Sequence, residues 1–177
     1  GYSPNLLLEK ISLTETNQLW VADITYVPLC GPRFAYLSMI MDRFSRRLIG
    51  WHLDLTMTEE LVLRSLTDAI RSRRPTSGLI HHSDRGGQYA GNRFRAVLRR
   101  ASIRQSMSRT AECYDNAFME SCFGTIKTEL EMTEYESITA ADRELAEYFV
   151  YYNRDRKHSS LGYQTPFQFE TNLSGRK

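Results

Sequence analysis

The sequence predicts an α/β fold in which a five-stranded mixed sheet is flanked by helices. Three observations carry this. Three strand-like stretches joined by short turns come first, and such short connections require antiparallel neighbours. Two shorter strand-like stretches follow, each preceded by a segment of helical period, so both need crossovers. At 177 residues the chain is long enough to bury one real core.

Residues 1–17 read as a poorly structured, linker-like lead-in. The core is expected over 18–152, with 153–177 as its mostly irregular C-terminal tail. The first three strands are predicted at about 19–28, 34–41 and 47–55, separated by Gly31-Pro32 and by the polar turn Asp42-Arg43-Phe44-Ser45-Arg46. A helix from about 58 to 73 follows, with Thr56 or Thr58 as cap and Val62, Leu66, Ala69 and Ile70 as its apolar stripe. After Pro75-Thr76-Ser77-Gly78 comes a fourth strand, Leu79 to Ser83, ending at Asp84. Asn92 is placed to cap a second helix with Phe94, Val97, Leu98 and Ala101 inward, and Ile103 to Met107 forms the fifth strand. A third helix is expected over about 115–131. A fourth starts near 139, with Thr139 and Asp142 as a capping-box-like pair and Leu145, Phe149 and Tyr152 facing inward.

Apolar content of 41% is ordinary for a globular protein, and no apolar run approaches the roughly 20 residues needed to span a bilayer. Gly1-Tyr2-Ser3-Pro4 has neither the charged start nor the apolar stretch of a signal peptide. Cys30, Cys113 and Cys122 are odd in number and lack Cys-x-x-Cys spacing, which reads as buried or inert thiols in a reducing cytoplasm rather than a zinc site. A net charge of +2 does not by itself announce a nucleic-acid partner, and its distribution says more. Residues 85–109 hold seven arginines and no acid, whereas 111–147 is dominated by Glu and Asp. Such a basic block is suited to phosphate, although alone it also fits a solvated helix face.

Three acids sit where their local pattern disfavours them. Asp23 interrupts the apolar run Trp20-Val21-Ala22-Asp23-Ile24-Thr25-Tyr26-Val27, and aspartate is depleted in strands and costly to bury unpaired. Asp84 ends the fourth strand just before Gly86-Gly87, and Glu120 lies on the third helix. If they converge, they make an oxygen-rich site for magnesium, with manganese as substitute. Two such ions can activate a hydroxyl or water and stabilise the leaving oxygen in a phosphodiester displacement. In an open sheet, ligands gather at the carboxyl ends of strands, where Asp84 stands and Asp23 can be its neighbour. Asn116, Glu120, Gly124 and Lys127 share one helical stripe. A mid-helix glycine costs about 1 kcal/mol relative to alanine, so something is expected to approach the backbone at Gly124, a nucleic-acid strand being one explanation.

Other motifs carry less. His81-His82-x-Asp84 lacks a second histidine cluster, and packed strand histidines account for it. Gly86-Gly87 lacks the Gly-Lys-Ser/Thr ending of a P-loop. Ten tyrosines with Arg154, Arg156 and His158 mimic a tyrosine recombinase but leave the three acids unexplained. Asp42, in a turn, and Asp54, facing outward, are left off the site.

With these residues in hand, the chain resembles the catalytic core of bacterial transposases of the insertion-sequence-three family, within the retroviral-integrase-like superfamily. The resemblance rests on Asn17 through Tyr26, Met41 through Arg46, His82 through Tyr89, Gln105 through Arg109, Cys113 through Ala117, Glu120-Ser121, and Tyr152-Asn153 through Thr165-Pro166. It implies a ribonuclease-H-like fold in which Asp23, Asp84 and Glu120 are catalytic metal ligands, and DNA cleavage at mobile-element ends followed by 3′-hydroxyl strand transfer. Lys127, seven positions after the glutamate, is then expected on DNA, with Asn116, Arg85, Arg99, Arg109 and Arg156 as further contacts. The chain departs from the family's usual pattern at Thr110-Ala111-Glu112 and at Cys122, the latter read as a packing change. The resemblance further implies a multimer in the working complex, a separate helix-turn-helix region for recognising element ends, and work on nucleoid DNA in the bacterial cytoplasm. The alternatives are a related nuclease without strand transfer and a DNA-binding module with a degenerate site.

Overall fold

The computed structural model describes residues 1–7, 11–108 and 113–175, without the side chains of 113–116. The chain forms β1 (Leu19–Leu29), β2 (Arg33–Asp42), β3 (Leu48–Asp54), α1 (Glu59–Arg73), β4 (Ile80–Ser83), α2 (Asn92–Arg100), β5 (Arg104–Met107), α3 (Cys113–Glu131), α4 (Ile138–Arg154) and α5 (Pro166–Ser174). Two short 3₁₀ turns lie at Gly87–Ala90 and Ser159–Leu161. The five strands make one sheet in the order β3-β2-β1-β4-β5. β1, β2 and β3 pair antiparallel, while β1–β4 and β4–β5 are parallel. The expected mixed sheet is therefore observed.

Two-residue alternation divides the sheet's side chains between two cores. Leu19, Val21, Leu37, Met39 and Met41 pack with Phe123, Ile126 and Leu130 of α3 and Leu145 and Phe149 of α4. Trp20, Ala22 and Ile40 face the other way, onto Val62, Leu66 and Ala69 of α1 and Phe94 and Leu98 of α2. Gly50 of β3 lets α1 settle closely: a Cβ there would lie 2.4 Å from the Ser65 carbonyl oxygen. Cys122 joins the first core, as a packing role requires, whereas Cys30 is exposed at the hairpin tip.

The tail is more regular than expected. Thr165 accepts a hydrogen bond from Gln168 N and the Gln168 side chain accepts one from Thr165 N, a capping box that with Pro166 in the first turn starts α5. Two predicted caps also move. Ser137, not Thr139, accepts from Ala140 N at the start of α4. The start of α2 is held by Glu59 of α1, whose Oε1 accepts from Phe94 N at 2.9 Å, rather than by Asn92. The lead-in carries no helix or strand among its described residues, yet it is tied to β5: Met107 N donates to Pro4 O and Leu6 N to Ser106 Oγ.

Candidate active site

The register of two parallel neighbours builds the heart of the site. β1 and β4 pair from Leu19↔Ile80 to Val21↔His82, and Asp23 and Asp84 each follow two residues beyond that last pair. Paired strands run about 4.8 Å apart, so both carboxylates emerge just past the point where β1 and β4 are held together. Asp23 is the more enclosed of the two and Asp84 is exposed. Asp23 Oδ1 accepts from Ile24 N at 2.9 Å, and its Oδ2 lies 2.5 Å from Lys127 Nζ. Burial pushes the Asp23 carboxyl above its ordinary range, Lys127 pulls it back, and the nearby charge of Asp84 adds a smaller upward push. Asp84 is oriented by its own turn, its Oδ1 accepting from Gly86 N at 2.8 Å. Tyr89, fully buried, feels the charge of both aspartates, and burial with that charge holds its phenol protonated.

Glu120 is exposed on α3. A Cβ at Gly124 would lie only 2.7 Å from Glu120 Oε1, so the glutamate lies back along its own helix over the glycine. What approaches the backbone at Gly124 is thus the Glu120 carboxylate. Among the described residues no three His, Cys, Asp or Glu side chains lie close enough together to hold a metal ion. The structure brings Asp23 against Lys127 and near the charge of Asp84, and lays Glu120 back along α3 over Gly124. Lys127 bears on the fit of a cation: an ammonium already sits against Asp23, and carboxylate oxygens are the donors hard divalent ions prefer.

The two histidines beside Asp84 are core groups. His81 packs between Tyr89 and Phe94, and His82 Nδ1 lies 2.8 Å from Ser106 Oγ. Burial lowers their pKa values to about 3 and about 4, so both are neutral. Asp42 is explained as well. It is buried, accepts from Asn17, Phe44 and Ser45 backbone N–H groups, and meets Arg73.

The expected DNA contacts are spread more widely. Arg85 lies with its guanidinium 5.6 Å from the centre of the Tyr2 ring. Arg99 is exposed near the end of α2, where Gly1, Ser3 and Gln105 help line a shallow cavity. Arg156 is matched by Glu129 at 3.4 Å and lies over Tyr152. Asn116 falls in α3, but its side chain, like the whole of Arg109 and of Thr110-Ala111-Glu112, lies outside the described residues. Two arginines beside the Glu120 helix escaped the sequence reading: Arg43 lies over Phe118, and Arg46 donates to the Ser121 carbonyl at 2.7 Å. They sit in the β2–β3 turn, and no spacing rule links that turn to α3.

Strand order, parallel β1–β4–β5 pairing and acids at the β1/β4 junction define a ribonuclease-H-like core. The chain belongs to the integrase core domain family, whose profiles match residues 14–113 and 101–166. It is 41% identical over 169 residues to an uncharacterised 31 kDa protein of insertion element IS600 from Shigella sonnei, covering 94% of this chain and 62% of that protein. It is 38% identical over 169 residues to the transposase of insertion sequence element IS904 from Lactococcus lactis, covering 94% of this chain and 66% of that one. The chain thus spans about two thirds or less of these relatives. Among solved structures, the HTLV-2 integrase catalytic core domain in complex with magnesium superposes with a TM-score of 0.66 at 16% identity, covering 88% of this chain and 97% of that one. No helix among the described residues is long and apolar enough to cross a membrane.

Proposed function

We propose that this chain is the catalytic core of a DNA transposase, cutting strands at mobile-element ends and joining the freed 3′-hydroxyl to another phosphodiester. The observation that carries this reading is the register that sets Asp23, within β1, and Asp84, just past the end of β4, each two residues beyond the last β1–β4 pair, within an integrase core. Asp23, Asp84 and Glu120 are the residues that would hold magnesium or manganese, two ions at full loading. When bound, the metal supplies Lewis-acid activation of the attacking oxygen and stabilisation of the leaving one. Glu120 completes the donor set by turning away from Gly124. Lys127 is the internal counter-charge of Asp23; once a metal takes that carboxylate, its ammonium is free to bind a DNA phosphate. Arg85, Arg99, Arg109 and Asn116 add to the phosphate-binding surface, and Arg156, already matched by Glu129, contributes less.

Specific recognition of element ends requires base contacts from other parts of a complete transposase, since phosphate contacts position DNA without reading it. Two ends must be joined in one reaction, so the working complex is a multimer, and HTLV-2 integrase cores are seen as dimers and trimers. Product analysis on a labelled oligonucleotide with a free 3′-hydroxyl tests the proposal. Longer, joined strands are expected with magnesium or manganese. Shortened strands alone would identify a nuclease without strand transfer.

A further inference from the structure

The β1–β2 hairpin carries an aromatic surface that the folding of the core does not use. Residues of even number on β1 face α1 and α2, but the hairpin extends past the helices. Tyr26 is 57% exposed and Phe34 52% exposed. The Tyr26 ring centre lies 6.0 Å from that of Phe34 and 5.4 Å from that of Tyr36, its partner across the pair. Leu55 and Met57, both exposed, follow β3 at the same end of the sheet, Asp54 being the partner of Tyr36. Large exposed apolar surfaces mark binding sites. Met57 is tied to the turn that follows Asp84, where Gln88 donates to its carbonyl at 3.3 Å, and Tyr26 lies three residues from Asp23 along β1. The hairpin itself holds no acid from Ile24 to Met41 and Arg33 is its one charged residue, while Asp54 of β3 lies beside Tyr36 at the edge of the cluster.

The position on β1 narrows the occupant. Asp23 faces α3 and Tyr26 faces the opposite side of the sheet, and β1 pairs with β4 only as far as Val21. Between Val21 and Pro28 the β4-side edge of β1 carries no strand among the described residues, and Tyr135 covers it again from Pro28 to Cys30; the uncovered stretch has a carboxylate towards one face and an aromatic platform towards the other. Three strand residues span roughly 10 Å, the reach of a few nucleotides. A duplex end that opens across this edge delivers one strand to Asp23 and Asp84 and the other to the aromatic face.

We propose that Tyr26, with Phe34 and Tyr36 around it, is a stacking platform for unpaired bases of the DNA strand that is not being cut. The edge of β1 then divides the two strands at the site. This rests on the transposase reading above. Aromatic rings bind bases of any identity through their faces, so the platform adds affinity without choosing sequence. Because stacking releases no counterions, that affinity persists at salt concentrations that weaken phosphate contacts.

The test is a metal-free binding assay, so that failed chemistry and a failed platform are distinguishable. Tyr26→Thr and Phe34→Thr keep a strand-compatible residue, with Tyr26→Trp as the aromatic control and circular dichroism to confirm folding. Each protein is titrated with a blunt duplex and with the same duplex bearing a short unpaired end that contains 2-aminopurine. Each threonine variant should bind the unpaired end about tenfold more weakly, the size of one lost stack. The blunt duplex should be unaffected, the loss should persist in high salt, and Tyr26→Trp should restore both affinity and fluorescence quenching. Equal losses on both DNAs would overturn the proposal. Unchanged binding to the unpaired end would also overturn it, and if self-association in sedimentation then fell, the surface would be a contact between copies of the chain.

Discussion

Asp23 and Asp84 stand at equivalent offsets, each two residues past the parallel pair Val21↔His82, Asp23 within β1 and Asp84 just beyond the end of β4. Nothing in either local sequence states this; it follows once β1 and β4 are neighbours in that register. The pair gives the site two carboxylates, Asp23 with Lys127 of α3 as its ion-pair partner. Asp23, carried by a central strand, is held more precisely than a group on a loop, and Asp84 is fixed by its own turn through Gly86 N; both suit a reaction that depends on in-line geometry.

Lys127 and a metal compete for Asp23. Lys127→Met should therefore bind manganese several-fold more tightly in a calorimetric titration of the free protein. The same variant should bind DNA more weakly, with a salt slope reduced by about one. Unchanged metal and DNA affinities would leave Lys127 as a surface lysine.

Gly124 gives Glu120 a place to lie. Gly124→Ala should add up to about 1 kcal/mol of stability through helix propensity, because the group in the way is the far end of a flexible side chain. If Glu120 must leave that place to join the aspartates, metal-dependent activity will be retained. Loss of activity in a stably folded Gly124→Ala would mean that the position over Gly124 is itself the working one.

A nearly buried cluster fastens α5 to the core. Arg73 donates to both Glu170 oxygens at 2.8 Å, to Asn17 Oδ1 at 3.1 Å and to Asp42 at 3.4 Å. Arg47 reaches Glu170 at 2.6 Å. Removing one partner strands charges that have lost their hydration, so Arg73→Met should cost about 3 kcal/mol in urea unfolding. A cost below about 1 kcal/mol would show that the cluster contributes little.

His81 and His82 make the fold sensitive to acid. Their folded pKa values, about 3 and about 4, lie below the unfolded value of 6.5. Below pH 6.5 the unfolded chain takes up protons that the folded chain refuses, so stability is intact above that pH and declines towards pH 4 and 3. At pH 5 the loss from His81 alone is about 2 kcal/mol. His81→Leu should flatten the decline between pH 7 and pH 5, read from urea midpoints; an unaltered slope would assign the acid sensitivity to other groups.

The sheet was legible because its strands are long, apolar and separated by turn residues, and their predicted ends fall within a residue or two of the observed ones. Asp23 and Asp84 were legible as misfits: a carboxylate in an apolar strand has to answer to something nearby. The α5 start could also have been read, since Thr165-Pro166-x-Gln168 has both a capping box and a proline in the first turn. Other features depend on tertiary approach. Glu59 caps a helix that is not its own, Arg46 reaches α3 from a distant turn, and Tyr26 is exposed although Trp20 and Ala22 on the same face of β1 are buried. Period alone places Tyr26 on an inward face with Trp20 and Ala22.

The most direct measurement of the central claim uses a branched DNA that mimics a joined product, incubated with manganese and either the wild-type chain or Glu120→Gln. The substrate bypasses recognition of element ends, and circular dichroism shows that both proteins are folded. Resolution of the branch by the wild type and not by the variant is the predicted result. Equal metal-dependent resolution by both would contradict the assignment of Glu120 and, with it, the three-carboxylate site.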